Sequence, residues 1–160
     1  MKSFITNNSK ETQKLGEKLA QEIKGGEIIA LKGDLGAGKT TFTQGLLKGL
    51  GAEGPYTSPT FLIMKEYKPH PRLPKPGTGG QANPLLRKER EANRIYHIDA
   101  YRVGVDDILD LGWEEIVSDS NSIVIIEWPE RIEKIISADA LWINFEWLGE
   151  NKRKITFKNK

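Results

Sequence analysis

Residues 33–40, GDLGAGKT, have the spacing G-x-x-x-x-G-K-[ST], with Gly33, Gly38, Lys39 and Thr40 at its fixed positions. That spacing suits the holding of a polyphosphate. Glycines let the chain curl until successive backbone N–H groups converge into an anion cradle. Lys39 adds a positive charge for the outer phosphates, and the Thr40 hydroxyl is placed to ligate Mg2+. A metal held this way needs a second support, an acid at the end of a neighbouring buried strand. Two acids qualify. Glu127 follows Ile123, Val124, Ile125 and Ile126, four consecutive β-branched residues. Asp99 closes IYHID, where His97 interrupts the apolar run. The cleaner pattern favours Glu127 on Mg2+ beside Thr40, directly or through water. Asp99 then orients the attacking water or supports the site from behind. The competing reading of either acid is a solvated carboxylate at a strand end.

These residues need a strand before the loop and a helix after it. EIIALKG at 27–33 supplies the apolar run of a buried parallel strand. TTFTQGLLKGLG at 40–51 sets Phe42, Leu46, Leu47 and Leu50 at helical spacing, with Gly51 where a helix ends. The helix N-terminus then turns its partial positive charge toward the same phosphates. Upstream, Asn8 and Glu11 predict a capping box for a first helix, whose stripe of Leu15, Leu19 and Ile23 runs to Gly25 and Gly26. Downstream, FLIMKEY at 61–67 and RIYHIDAYR at 94–102 read as strands. Asp106 predicts the cap of one helix bearing Ile108, Leu109, Trp113 and Ile116. Pro129 opens a short helix over PERIEKII, and ALWINFEW and KRKITFKN suit an antiparallel pair. The expected fold class is α/β: a three-layer P-loop NTPase-like fold, with a mostly parallel central sheet and antiparallel edge strands. Ser58, Pro59 and Thr60 lie where nucleotide switches carry the segment that senses the γ-phosphate, and Thr60 adds a hydroxyl for metal or phosphate. A plain proline turn is the alternative there.

A chain of 160 residues suits one domain over 1–160. It has no cysteine, which removes disulfide and thiol chemistry, and only His70 and His97, too few for a histidine metal site. No apolar run reaches the length of a membrane span and the N-terminus lacks a signal-like apolar region, so the expected location is cytoplasmic. The net charge of +2 is unevenly divided. Residues 68–94 carry seven Lys and Arg against two Glu, or +5, leaving 17 basic and 20 acidic side chains elsewhere, or −3.

GDLGAGKTTF, SPTF, YHIDAYR and IEWPER follow one another in this order. Together they resemble the TsaE family, also called YjeE, of small bacterial P-loop ATPases. The resemblance runs from the first helix to the last strands, apart from 69–92. It implies ATP and Mg2+ as cofactors, and participation in forming threonylcarbamoyl-adenosine at position 37 of tRNA. In such proteins a TsaB–TsaD complex, with TsaD the transferase, is bound and ATP hydrolysis lets it turn over. On matched positions, the resemblance implies a nucleotide loop of Leu35, Gly36, Ala37, Gly38, Lys39 and Thr40. It implies Mg2+ ligands at Thr40 and Glu127, and reactive roles for Lys39, Asp99 and Glu127. Thr41 and Trp128 are further functional positions, Ser9 a nucleotide contact, and a C-terminal contact falls at Asn151 or Lys152. Trp128 is physically odd beside a metal acid: it either belongs to the core or covers the nucleotide.

The departure is the basic segment at 69–92, rich in proline and glycine, where the family has a short hairpin turn. Its basic residues suggest contact with tRNA or the partner complex, and a lineage-specific disordered loop is the alternative. Two other functions compete. A P-loop small-molecule kinase would use the Arg-rich segment as a lid. An ATP-gated binding module would need no hydrolysis.

Overall fold

The computed structural model describes residues 2–59, 62–69 and 94–158. Its strands are β1 (Lys2–Thr6), β2 (Ile28–Gly33), β3 (Met64–Tyr67), β4 (Arg94–Asp99), β5 (Ser122–Glu127), β6 (Leu141–Trp147) and β7 (Arg153–Lys158). Four helices accompany them among the described residues: α1 (Ser9–Leu19), α2 (Lys39–Gly49), α3 (Val105–Asp110) and α4 (Trp113–Ser118). The strands form one sheet in the order β1-β7-β6-β2-β5-β4-β3. The central four, β6-β2-β5-β4, are parallel, while β7, β1 and β3 attach antiparallel at the edges. This is the sheet expected from the sequence.

Strand parity divides the core into two layers. Ile29 and Leu31 of β2, Ile95 of β4, and Ile123 and Ile125 of β5 pack on one face with Leu15, Leu19, Phe42, Leu46 and Leu47 from α1 and α2. Tyr96, Ile98, Val124 and Ile126 pack on the other with Ile108, Trp113 and Ile116 from α3 and α4. His97, Asp99 and Glu127 follow the first parity, so β4 and β5 deliver them to the α2 side. Glu127 stands opposite Asp99 on β4 and Leu31 on β2.

Two glycines set how α2 lies against α1. A Cβ on Gly45 would stand 2.0 Å from the Gln13 carbonyl oxygen, and one on Gly16 would stand 2.4 Å from that of Phe42. The two backbones touch where any side chain would separate them.

Several local expectations are corrected. β1 was not foreseen; it is held by pairing with β7. α1 stops at Leu19, and Ile23 lies beyond the helix though still against the core. Its cap is half the expected box: Asn8 Oδ1 accepts from the Glu11 N–H, but the Glu11 carboxylate accepts from Asn7 N–H. The helix expected after Asp106 is two helices, broken at Gly112 with φ 84°, and its N-cap is Gly104. PERIEKII forms two 3-10 turns, Pro129–Arg131 and Glu133–Ile135. β3 begins at Met64, after Ile63 turns with φ 63°. Phe61 and most of the segment at 69–92 lie outside the described residues. No helix among the described residues is long and apolar enough to cross a membrane.

Candidate functional site

The loop from Gly33 to Thr40 joins β2 to α2, as its spacing requires. Gly33, Gly36 and Gly38 all have positive φ, the conformation that glycine reaches without strain. Gly38 is the N-cap of α2, so the helix begins at Lys39 with its first N–H groups facing the loop. Lys39 is only 4% exposed. Its Nζ donates to the carbonyls of Gly33 and Asp34 and lies 3.8 Å from the centroid of the Trp128 ring. Burial pushes the Lys39 ammonium below its usual pKa, opposed by the carboxylates of Glu127, Glu130, Asp99 and Asp34.

Across the cleft, β5 ends in Glu127, which is buried. Thr40 Oγ1 donates to Glu127 Oε2 at 2.9 Å, joining residues 87 positions apart. The other oxygen, Oε1, is 2.9 Å from His97 Nε2, and both side chains are buried. Among the described residues no group of three or more His, Cys, Asp or Glu is arranged to hold a metal. A cation here would meet two oxygen side chains, Thr40 and Glu127, and would complete its shell from phosphate and water. That donor set fits Mg2+, which keeps several waters and borrows phosphate oxygens.

Asp99 is buried one strand away. Its Oδ1 accepts from the Tyr101 N–H at 3.0 Å and its Oδ2 from Ser58 Oγ at 3.1 Å. The acid therefore ties Ser58 to the end of β4. Trp128 follows Glu127 with φ 60°, a left-handed turn that is costly for a bulky residue. The turn lays its ring beneath Lys39 and 4.8 Å from the Tyr101 ring, while its flank packs on the α3–α4 layer. Trp128 thus packs against the core and also lines the cleft. Leu35, Gly36, Gly38, Lys39, Thr40, Thr41, Ser58, Asp99, Tyr101, Arg102, Glu127 and Trp128 enclose one cleft of about 540 Å3. Leu35 is 80% exposed, so its side chain contributes only to the rim. Ala37 is buried under the loop.

A smaller hollow of about 170 Å3 adjoins the loop and shares Gly36, Gly38 and Thr41 with the main cleft. Ser9, Asn8, Thr12, Glu150, Asn151 and Arg153 complete its wall. Ser9 and Asn151 thus meet the loop, while exposed Lys152 does not line the hollow. Thr60 lies outside the described residues. Sequence reasoning missed Arg153, whose guanidinium donates to the Gly36 carbonyl at 3.1 Å and to that of Gly149 at 2.8 Å. No local signal marks it. His97 was read as an interruption in a strand and as one of two histidines too few for a metal site, and neither reading gave its contact with Glu127.

A family model described as "Threonylcarbamoyl adenosine biosynthesis protein TsaE" matches residues 6–78 and 81–155. The tRNA threonylcarbamoyladenosine biosynthesis protein TsaE of Bacillus subtilis is 36% identical, over 95% of this chain and 82% of its own length. The protein of that name from Aquifex aeolicus is 34% identical, over 100% of this chain and 98% of its own. A crystal structure of Bacillus subtilis YdiB is similar with a TM-score of 0.71 and 30% identity, covering 99% of this chain and 84% of that one. The likeness agrees with a P-loop NTPase-like fold.

Proposed function

The chain belongs to the TsaE family of threonylcarbamoyl adenosine biosynthesis proteins, and from that premise we propose that it is a Mg2+-dependent ATPase. In this reading it binds a TsaB-like and a TsaD-like protein in the cytoplasm and supports turnover of their threonylcarbamoyl transfer to tRNA. The observation that carries the proposal is the contact of Thr40 with Glu127 beside Lys39 at the start of α2. One hydroxyl, one carboxylate and one ammonium converge at the start of α2, where backbone N–H groups would face a phosphate.

Lys39 and the loop from Leu35 to Thr40 bind the ATP phosphates. Thr40 and Glu127 are the residues that would hold Mg2+, which when bound neutralises charge on the phosphates. Hydrolysis adds water at the γ-phosphorus and breaks its bond to the bridging oxygen. Asp99 lines the same cleft and is the acid left to orient that water while anchoring Ser58. Thr41, Ser9 and Asn151 serve the rest of the nucleotide. The basic segment at 69–92 contacts tRNA or the partner complex.

The test compares Lys39→Ala and Glu127→Ala with the unchanged protein in reconstituted tRNA modification with both partners. Both substitutions are expected to abolish multiple turnover. Full modification by a variant that binds ATP but cannot hydrolyse it would overturn the ATPase reading. Phosphorylation of an added acceptor would instead favour a kinase.

A further inference from the structure

His97 is 1% exposed on β4, one strand position before Ile98 and two before Asp99. Register places it opposite Ile125, so it reaches Glu127 diagonally along the face that carries α2. Its Nε2 meets Glu127 Oε1, and among the described residues its Nδ1 is buried with no hydrogen-bond partner. An ionised carboxylate only accepts, so Nε2 donates in this contact. Leaving the polar Nδ1 buried without a partner is costly. The neighbouring inward position on the same strand, Ile95, fills the same layer without polar cost. Packing alone therefore does not account for an imidazole here.

Its effect on Glu127 does. A glutamate side chain has three torsions, and the β5 residues that share its face, Ile123 and Ile125, are apolar and offer no side-chain donor. His97 holds Oε1, and Oε2 then faces the Thr40 hydroxyl. We propose that His97 is a positioning residue that fixes the Glu127 carboxylate so that Oε2 is presented on the Thr40 side, where the cation would be held. This rests on the metal role proposed for Glu127. A donor behind a ligating carboxylate narrows the orientations the ligand samples, and loss of such partners typically costs about 10–100-fold in metal affinity.

The experiment measures Mn2+ affinity of the ADP-bound protein by electron paramagnetic resonance, with ADP affinity in EDTA and the melting temperature measured alongside. His97→Leu keeps bulk and removes the donor. His97→Gln places an amide N–H near the position of Nε2. His97→Asn keeps an amide that falls short of Glu127. The expected result is about 10–100-fold weaker Mn2+ binding for Leu and Asn, recovery of most of it by Gln, and ADP affinity in EDTA unchanged in all three. If Leu fails to fold, the contrast between Gln and Asn decides. Wild-type Mn2+ affinity in Leu or Asn overturns the proposal, as does equal loss with and without metal or failure of Gln to exceed Asn. Absence of Mn2+ binding by the unsubstituted complex, or full binding by Glu127→Gln, overturns the metal role of Glu127 itself and the proposal with it.

Discussion

Lys39 meets opposing demands: the loop needs its charge, and burial disfavours that charge. Desolvation lowers its pKa despite four nearby carboxylates. In the unfolded chain the group returns to an ordinary lysine, so folding at neutral pH carries a cost that disappears only above the unfolded pKa of 10.5. Lys39→Met removes the charge and keeps much of the volume. It is expected to raise the melting temperature at pH 7 while abolishing nucleotide binding. The gain should shrink as pH rises through 10.5, and it vanishes only above that value, where the lysine is neutral in both states; a gain that grows with pH would contradict the burial argument. Residues of this kind were legible because their spacing is local. Lys39 and Thr40 sit in an eight-residue pattern, and Glu127 ends an uninterrupted apolar run. The partners of Glu127 were not legible, because Thr40 is 87 positions away and His97 is 30, on another strand. Arg153 donates to Gly36 across 117 positions, and nothing in KRKITF announces that reach.

Among the elements, α2 aims the loop and α1 fixes α2. Their approach depends on Gly45, whose added Cβ would lie 2.0 Å from the Gln13 carbonyl oxygen. Backbone atoms cannot yield as a side-chain tip does, so Gly45→Ala must push the helices apart. The expected loss is about 1–3 kcal/mol in urea unfolding, with weaker nucleotide binding because the loop moves with α2. Unchanged stability would show that the helices tolerate the shift. α2 itself was readable from the spacing of Phe42, Leu46 and Leu47. β1 was not: KSFIT is mostly exposed, and its pairing with Arg153–Lys158 is a long-range fact. The break between α3 and α4 was hidden for a different reason. Ile108, Trp113 and Ile116 all bury into one layer, so apolar spacing continued across the left-handed turn at Gly112.

At the scale of the whole chain, the basic segment at 69–92 joins β3 to β4. These strands are antiparallel neighbours, with Tyr67 opposite Ile95. Adjacent strands lie about 5 Å apart, so the end of one and the start of the other need only a tight turn. The sheet therefore makes no demand on the length of what joins them. Replacing residues 71–90 with a short Asn-Gly turn should leave the melting temperature and ADP affinity unchanged. The same deletion removes five of the seven basic residues counted between 68 and 94, namely Arg72, Lys75, Arg87, Lys88 and Arg90. If they touch tRNA phosphates, affinity falls most at low salt, and the dependence on salt becomes shallower because fewer counterions are released. Filter binding of tRNA from low to physiological salt, with and without the partner proteins, reads both effects. Equal affinity and equal salt slope for the shortened chain would remove the segment from RNA recognition, and unchanged partner affinity would remove it from assembly.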